Sequence, residues 1–315
     1  MKEQFIATLH ANSLPELQGV PKSDLHNHAG RGGNLKYIEA WANTKIAPPD
    51  KPFDSLSHMQ QWFQNNVKCH CPGVPGYLKR IEASFVQARH DNIAVLALNF
   101  GLDEVDALGG VASFTAIMDE LHRQYAPEAA FFPELSFGRE CPIEPALLSR
   151  LDEVLSYRWF KSIDICNDEL AQPIRNFKPI YRQAKAAGLI LKAHVGEFGS
   201  ADDVMEAVYE LELHEVHHGI AAASSARIMN WLADHRIRLN ICPTSNVMLK
   251  VADSYAAHPI RKLYDHGVPV TINTDDLLIF NQSVSQEYLN LYQAGTMTAE
   301  ELNAVRESGL KYIGS

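Results

Sequence analysis

Short apolar segments alternate with longer amphipathic segments along most of the chain. An apolar run such as 189–195 is typical of a strand that is buried on both faces. A segment such as 111–125 carries apolar residues at helical spacing and predicts a helix. Eight strand and helix units in 315 residues predict an α/β fold of the (β/α)₈ TIM-barrel type. The predicted strands are 23–28, 93–100, 131–137, 159–166, 189–195, 215–218, 237–242 and 269–273.

One region departs from this alternation. The segment 45–76 is rich in Pro, Gly, Asn and Gln. Because the sequence has no internal repeat and no low-complexity linker, we predict a single domain over residues 1–315, with a helical excursion at about 34–90. The predicted helices are 34–41, 57–66, 76–90, 111–125, 143–156, 177–187, 201–211, 223–234, 258–266 and a terminal helical region that includes a capping box at 298–301.

Composition and charge narrow the class of protein. With 46% hydrophobic and 21% charged residues, the composition is that of a soluble globular protein. The net charge of -10 argues against a nucleic-acid polymer as partner, because such binding usually uses a basic surface. No apolar run approaches the roughly 20 residues of a membrane span. The five cysteines are scattered and the first residues lack a signal-peptide core, so we expect a cytoplasmic protein.

Polar residues collect where the predicted strands end, which is where a barrel places its chemistry. His26 and His28 are two residues apart, so both can face one ion from an extended segment. His194 ends an apolar run, and the adjacent carboxylates Asp275 and Asp276 need a compensating cation or donors. These positions predict a metal site of three histidines and one aspartate that leaves room for a water molecule.

Five ordered motifs carry a resemblance to a known family. They are LHNH at 25–28, AHVGE at 193–197, HG at 218–219, CPTSN at 242–246 and NTDD at 273–276. Together they resemble the adenosine and AMP deaminases of the amidohydrolase superfamily. The resemblance covers nearly the whole chain and implies the (β/α)₈ barrel of that superfamily.

The resemblance implies a ligand set and catalytic roles. One Zn²⁺ per subunit would be bound by His26, His28, His194 and Asp275, and its water would supply the nucleophile that adds to purine C6. His218 would serve as base and electrostatic partner of that water, and Asp275 would also orient it. Glu197 would protonate ring N1, which requires a carboxyl group that is kept protonated by its surroundings. Substrate contacts are expected from Asp276, at purine N7, and from Gly196.

Two departures from the adenosine deaminases concern the sugar. The aspartate that contacts the ribose 5′-hydroxyl in their HxHLDG motif is Ala29 here, and the glycine used against purine N3 is Asn167. Both changes make these motifs more similar to those of the AMP deaminases. Arg31 and Lys36 are candidates to bind a 5′-phosphate, with solvated surface cations as the alternative.

The expected function is zinc-dependent hydrolytic deamination of a 6-aminopurine nucleoside or nucleotide, with a slight lean to the 5′-monophosphate. The substrates considered are adenosine, deoxyadenosine, AMP and dAMP, and the products are the inosine-type compound and ammonia. Two alternatives stay open: a deaminase of another aminated heterocycle such as adenine, and a non-catalytic nucleotide-binding barrel. The expected partner is a small purine compound, neither a nucleic-acid polymer nor a membrane.

Overall fold

Eight parallel strands pair in chain order, each with the next, in a computed structural model that describes residues 1–314. Residue 315, the last of the predicted domain, lies outside the described residues. A parallel bridge between Asn27 and Asp275, which follow the first and last strands, brings the two ends of the sheet together. The predicted (β/α)₈ fold is confirmed. The strands are β1 Lys22–Asp24, β2 Ile93–Gly101, β3 Ala130–Gly138, β4 Ser162–Cys166, β5 Ile190–Val195, β6 Glu215–His218, β7 Arg238–Ile241 and β8 Val270–Ile272.

The helices lie between the strands in sequence, and their apolar faces are buried. In α10 the buried residues Val204, Ala207, Val208 and Leu211 follow helical spacing, and a capping box from Ser200 begins the helix. The helices are α1 Lys2–His10, α2 Leu14–Gln18, α3 Leu35–Ala42, α4 Leu56–Asn66, α5 Gly73–His90, α6 Leu102–Ala107, α7 Val111–Tyr125, α8 Pro145–Ser156, α9 Lys178–Ala186, α10 Ala201–Leu211, α11 Ala226–Asp234, α12 Pro243–Met248, α13 Ile260–Asp265, α14 Leu277–Phe280, α15 Val284–Gln293 and α16 Ala299–Leu310. Short 3₁₀ helices occupy Lys68–His70, Ile174–Phe177, Ile220–Ser224 and Lys311–Gly314.

The main apolar core joins the strands to the surrounding helices. Phe100 of β2 and Phe114 of α7 meet edge to face, with ring centroids 5.2 Å apart. Phe85 of α5 belongs to the same buried cluster. None of the helices in the described part of the chain is both long and apolar enough to cross a bilayer.

The segment between β1 and β2 forms a second apolar cluster. Ile38 of α3, together with Met59 and Phe63 of α4, is buried in one cluster with Leu278 and Phe280 of α14. Because only four residues separate the end of β8 from the start of α14, this cluster lies at the edge of the barrel where the strands end. The predicted helices of this segment are confirmed, and they are placed beside the candidate site.

The first strand is shorter than predicted. We predicted strand structure through His28, but β1 ends at Asp24. Beyond that point the chain is held by residues that follow β8: the backbone N–H of Leu25 donates to Asn273 Oδ1 at 2.8 Å, and that of Asp275 donates to the carbonyl oxygen of His26 at 3.0 Å. The two histidines therefore follow the strand rather than belong to it.

Candidate active site

The ends of four strands share an unusual backbone conformation. Asn167, Gly196, His218 and Asp275 have φ values of 70°, 70°, 62° and 60°. At Gly196 only glycine fits, because an added Cβ would lie 2.3 Å from a methyl group of Val204. The other three positions carry side chains in a region that L-residues rarely adopt, which is typical of functional sites. All four positions lie at the edge of the barrel where the candidate residues are found.

The four predicted metal ligands converge at this edge. His26, His28, His194 and Asp275 each offer one ligand atom, and these atoms all lie within 4.8 Å of one another. The Nε2 atoms of His26 and His194 are 3.0 Å apart. Oδ1 of Asp275 lies 3.1 Å from Nε2 of His28 and 3.5 Å from Nε2 of His26. The sequence prediction therefore names four residues that the fold brings together.

The hydrogen bonds behind two of these histidines indicate their tautomers. Nδ1 of His26 lies 3.1 Å from the carbonyl oxygen of Asn240, and Nδ1 of His194 lies 2.9 Å from a carboxylate oxygen of Asp164. Because these partners are acceptors, each Nδ1 carries the hydrogen and each Nε2 presents a lone pair. Two lone pairs that face each other at 3.0 Å repel unless a cation lies between them. The donor set therefore fits a metal ion.

Three further groups lie next to this cluster. Nε2 of His218 is 3.6 Å from Oε2 of Glu197 and 3.9 Å from Oδ2 of Asp275. Burial raises the pKa of Glu197 well above its ordinary value, and the charges of Asp275 and Glu169 add to the effect. Burial also lowers the pKa of His218 to about 3, with Asp275 opposing the shift. Glu197 is thus favoured in its protonated form and His218 in its neutral form.

Two buried carboxyl oxygens of the site itself have no hydrogen-bond partner among the described residues. They are Oε1 of Glu197 and Oδ1 of Asp276. Nη1 of Arg31 donates to the other oxygen of Asp276, at 3.2 Å. Burial raises the pKa of Asp276, with Arg31 opposing and Asp275 adding to the shift. Unpaired buried oxygens are costly, so both positions favour a ligand that supplies their partners.

A chain of hydrogen bonds leads from His218 to His258, a residue that the sequence analysis did not single out. The backbone N–H of Ile260 donates to Nδ1 of His258, so its hydrogen is on Nε2 and points to Oδ1 of Asn246, 3.3 Å away. Nδ2 of Asn246 then donates to Nδ1 of His218 at 3.1 Å. This order leaves the hydrogen of neutral His218 on Nε2, facing Glu197 and Asp275.

Two acidic residues of the segment 164–169 accept hydrogen bonds from residues that form the site. Asp164 accepts from His194 and also from the side-chain amide of Asn99, at 2.8 Å. Glu169 accepts from four consecutive backbone N–H groups of residues 196–199. Both carboxylates lie at or just after the end of the fourth predicted strand, but the sequence gives no signal of which partners each one has.

A cavity of about 620 Å³ opens from the site and reaches the candidate metal ligands at His28. Arg31 and Asn167, two of the residues predicted to contact substrate, line it. Lys36 is exposed on α3 and does not line it, and Gly196 does not line it either. The N–H of Gly196 is bound by Glu169, and its carbonyl oxygen accepts from the backbone of Ala221.

The charged residues of the cavity wall include both signs. Three cations line it, and so do four carboxylates. Arg31 is paired with Asp276, and Arg80 donates to the carbonyl oxygens of Gly30 and Cys71. The cations are Arg31, Lys68 and Arg80, and the carboxylates are Asp103, Glu104, Asp106 and Glu140.

Known proteins resemble the chain in sequence and in fold. The adenosine deaminase family model matches residues 145–313. A putative adenosine/adenine deaminase from Treponema pallidum is 30% identical over 305 residues, which cover 93% of this chain and 99% of the relative. An amidohydrolase from Burkholderia ambifaria with bound Zn is 20% identical, with a TM-score of 0.75 over 96% of this chain and 87% of that one. The Arabidopsis protein ADAL complexed with IMP is 19% identical, with a TM-score of 0.77 over 94% and 92%.

The fold and the cluster of histidines and aspartate define an amidohydrolase-type barrel. Because the family model matches more than half of the 315 residues, and the Treponema relative aligns over almost its full length, the chain belongs to the adenosine deaminase family. It is therefore a hydrolase of the kind that acts on C–N bonds in cyclic amidines. The family prediction made from the sequence is confirmed.

Proposed function

We propose that this protein is a zinc-dependent deaminase of a 6-aminopurine, with adenosine, deoxyadenosine or adenine as substrate. One observation carries the proposal. The four candidate metal ligands lie next to a buried carboxyl group, Glu197, whose Oε1 has no partner among the described residues. A metal centre beside a protonated acid is the arrangement that hydrolytic removal of ammonia from a purine ring requires.

His26, His28, His194 and Asp275 would hold one zinc ion. The three imidazoles and one carboxylate are ligand types that zinc prefers, and the facing lone pairs of His26 and His194 support a cation there. When bound, zinc supplies an activated water by lowering its pKa towards neutrality. Asp164 and the carbonyl oxygen of Asn240 fix the orientation of two of the ligating rings.

Glu197 would give its proton to purine N1. Burial and the neighbouring carboxylates keep this group protonated, which is the form that a general acid must have before the reaction. Its Oε1 is buried and has no other partner within the described residues, so a ring nitrogen of the substrate can occupy that position. Protonation of N1 makes C6 more electrophilic.

His218 would act mainly as a hydrogen-bond donor. The hydrogen bond from Asn246 supports a hydrogen on Nε2, directed at the region between Glu197 and Asp275. In that tautomer the side chain can orient an oxygen nucleophile and stabilise negative charge, but Nε2 has no lone pair to accept a proton. Of the two roles expected for His218, this geometry supports the electrostatic role more than the role of base.

Asp276 would bind purine N7 through Oδ1. This oxygen is unpaired among the described residues, while Arg31 holds the other one. N7 accepts hydrogen bonds, so Asp276 acts in its protonated form, and burial favours that form. Asn167 adopts the positive φ of a glycine and lines the cavity, which supports its expected place near the purine.

The cavity favours an uncharged sugar end over a 5′-phosphate. Four carboxylates line it, the Arg31 guanidinium is held by its hydrogen bond to Asp276, and Lys36 lies on the exposed face of α3. A dianionic phosphate would meet repulsion from the carboxylates. The monophosphate, towards which the sequence leaned, is the second candidate, because Arg31 and Lys68 both line the cavity and the Arabidopsis neighbour is complexed with IMP.

A substrate panel tests the proposal. The zinc-loaded protein is assayed for ammonia release with adenine, adenosine, deoxyadenosine, AMP and dAMP, and kcat/KM values are compared at one pH. We expect kcat/KM for adenosine, deoxyadenosine or adenine to exceed kcat/KM for AMP and dAMP by at least about tenfold, which corresponds to about 1.4 kcal/mol. A large preference for AMP would overturn the proposed preference for substrates without a 5′-phosphate and would support the second candidate.

The control for the panel is Glu197→Gln. It should keep its zinc content and lose turnover by a factor on the order of 10² to 10⁴, because the general acid is lost. Zinc-loaded wild-type protein that releases no ammonia from any of the five compounds would support the non-catalytic nucleotide-binding barrel.

A further inference from the structure

Glu169 lies behind the loop that carries Glu197 and is almost completely buried, with 4% of its surface exposed. Its Oε1 accepts from the N–H of Gly196 at 2.5 Å. Its Oε2 accepts from the N–H groups of Glu197, Phe198 and Gly199, at 3.1, 2.8 and 3.1 Å. One carboxylate thus binds four consecutive backbone donors.

The loop 196–199 is shaped to admit this carboxylate. It connects β5 to α10, and Gly196 begins it with a φ of 70°. At Gly199 an added Cβ would lie 2.5 Å from Oε1 of Glu169, so the absence of a side chain there lets the carboxylate approach. Successive N–H groups that converge on an anion form a backbone nest, and hydrogen bonds to an ionised acceptor are the stronger kind.

We propose that Glu169 is the positioning residue for Glu197. Its four hydrogen bonds fix the backbone from which the Glu197 side chain extends, and so they set where the carboxyl group lies relative to His218 and Asp275. The inference rests on the proposed role of Glu197 as proton donor. In support, the charge of Glu169 is one of the factors that raise the pKa of Glu197.

The metal ligand nearby is held by other contacts. His194 lies within β5, which pairs with β6, and its ring is bound by Asp164. Loss of the Glu169 hydrogen bonds should therefore displace Glu197 and leave the metal cluster in place. This separates the proposed role from a general effect on the site.

The test is Glu169→Gln, with Asp168→Asn as the matched control. Asp168 is exposed, precedes Glu169 directly, and does not line the cavity. An amide presents one acceptor oxygen and a donor group, so it cannot accept all four N–H groups. We expect kcat for adenosine to fall by about 10²-fold, the loss typical of a misplaced catalytic group, with KM changed by less than about threefold. Zinc content should be unchanged, and Asp168→Asn should match the wild type.

A double variant distinguishes positioning from a structural role. When Glu197→Gln has already removed the proton donor, adding Glu169→Gln should cause no further loss of turnover. Multiplicative losses in the double variant would overturn the proposal, because Glu169 would then act by another route. Wild-type kcat in Glu169→Gln would overturn it as well.

Two further results keep the outcomes separate. If Glu197→Gln itself retains turnover, the proposed proton donor fails, independently of Glu169. If Glu169→Gln does not fold, Gly199→Ala is the substitute, because its methyl group must displace the Glu169 carboxylate. That variant should lower kcat at least tenfold with normal zinc content, and an unchanged kcat would contradict the proposal.

Discussion

The Nε2 atoms of His26 and His194 lie 3.0 Å apart, and the hydrogen bonds behind both rings leave a lone pair on each. Removal of a bound cation should therefore destabilise the fold as well as stop catalysis. We expect chelation to lower the melting temperature by several degrees, because a ligand at 100 times its Kd contributes about 2.7 kcal/mol. Thermal unfolding with chelator, and after addition of Zn²⁺, measures the shift.

Magnesium provides the control for that experiment. Mg²⁺ prefers oxygen ligands and should not restore the melting temperature at a cluster dominated by imidazoles. A melting temperature that does not respond to chelator or to zinc would count against a metal at this position.

Asp164 binds the ring nitrogen of His194 that faces away from the metal cluster, at 2.9 Å. Asp164→Asn exchanges a charged acceptor for a neutral amide, and His194 should become a weaker and less well oriented ligand. We expect zinc affinity to fall about 10- to 100-fold. Competition with a chromophoric chelator measures the Kd. An unchanged Kd would show that the hydrogen bond does not tune the site.

The link from Asn246 to His218 predicts a tautomer that can be observed. In the wild-type protein the His218 ring should carry its hydrogen on Nε2 at neutral pH, because Nδ1 accepts from Asn246. Nitrogen-15 NMR of histidine-labelled protein distinguishes the two tautomers, and Asn246→Ala should release the constraint. A hydrogen on Nδ1 in the wild type would restore His218 as a candidate base.

Glu287 predicts a pH dependence of stability. It is fully buried, and both of its carboxylate oxygens lie 3.2 Å from the backbone nitrogen of Thr244. Burial raises its pKa from 4.5 to about 8, with the hydrogen bonds opposing. The folded state therefore binds this proton more tightly than the unfolded state does. The associated stability is fully present below about pH 4.5 and is lost as the pH rises towards 8.

Comparison with Glu287→Gln isolates this group. Because the amide does not ionise, the variant should gain stability relative to the wild type between pH 5 and pH 8, by a few kcal/mol. Urea unfolding at both pH values measures the difference. Parallel pH profiles for the two proteins would contradict the raised pKa.

Variants of Arg31 and Lys36 test whether the cavity binds a 5′-phosphate. Arg31 is paired with Asp276 and packs over the ring of Phe63, with its guanidinium carbon 5.3 Å from the ring centroid. If Arg31 serves mainly to hold Asp276, Arg31→Ala should lower kcat/KM for adenosine and AMP by similar factors. Lys36→Ala should leave both values unchanged, because Lys36 is exposed and outside the cavity wall. A selective rise in the KM for AMP would instead indicate a phosphate contact.

The strands were predictable because buried parallel strands are continuous apolar runs. The error in β1 has a physical cause, since residues 25–28 are held by isolated bridges to Asp275 and Asn99 and by the side chain of Asn273, not by a continuous ladder. No local pattern shows such contacts. The helices α1, α2, α6, α12 and α14 were not predicted, because they are short or mix polar and apolar residues without a clear period.

Part of the candidate site could also be predicted from the sequence. The ligand residues occur at strand ends in ordered motifs, so their convergence could be predicted before the fold was known. Glu169, Asn246 and His258 act through hydrogen bonds to groups far away in sequence or to backbone, and these partners depend on how the loops turn. Lys36 shows the converse, since proximity in sequence to the first motif did not bring it to the cavity.

His218 and Asp275 hold their chemistry on backbone turned to φ values of 62° and 60°. Such conformations cost a side-chain-bearing residue about 1–3 kcal/mol each, and glycine would adopt them freely. Selection for thermal stability alone would therefore favour glycine at both positions. The resulting barrel would be more stable but would lack the two side chains that the proposed reaction needs. Histidine and aspartate at these two places therefore lower stability relative to glycine, as is consistent with the functional roles proposed for both side chains.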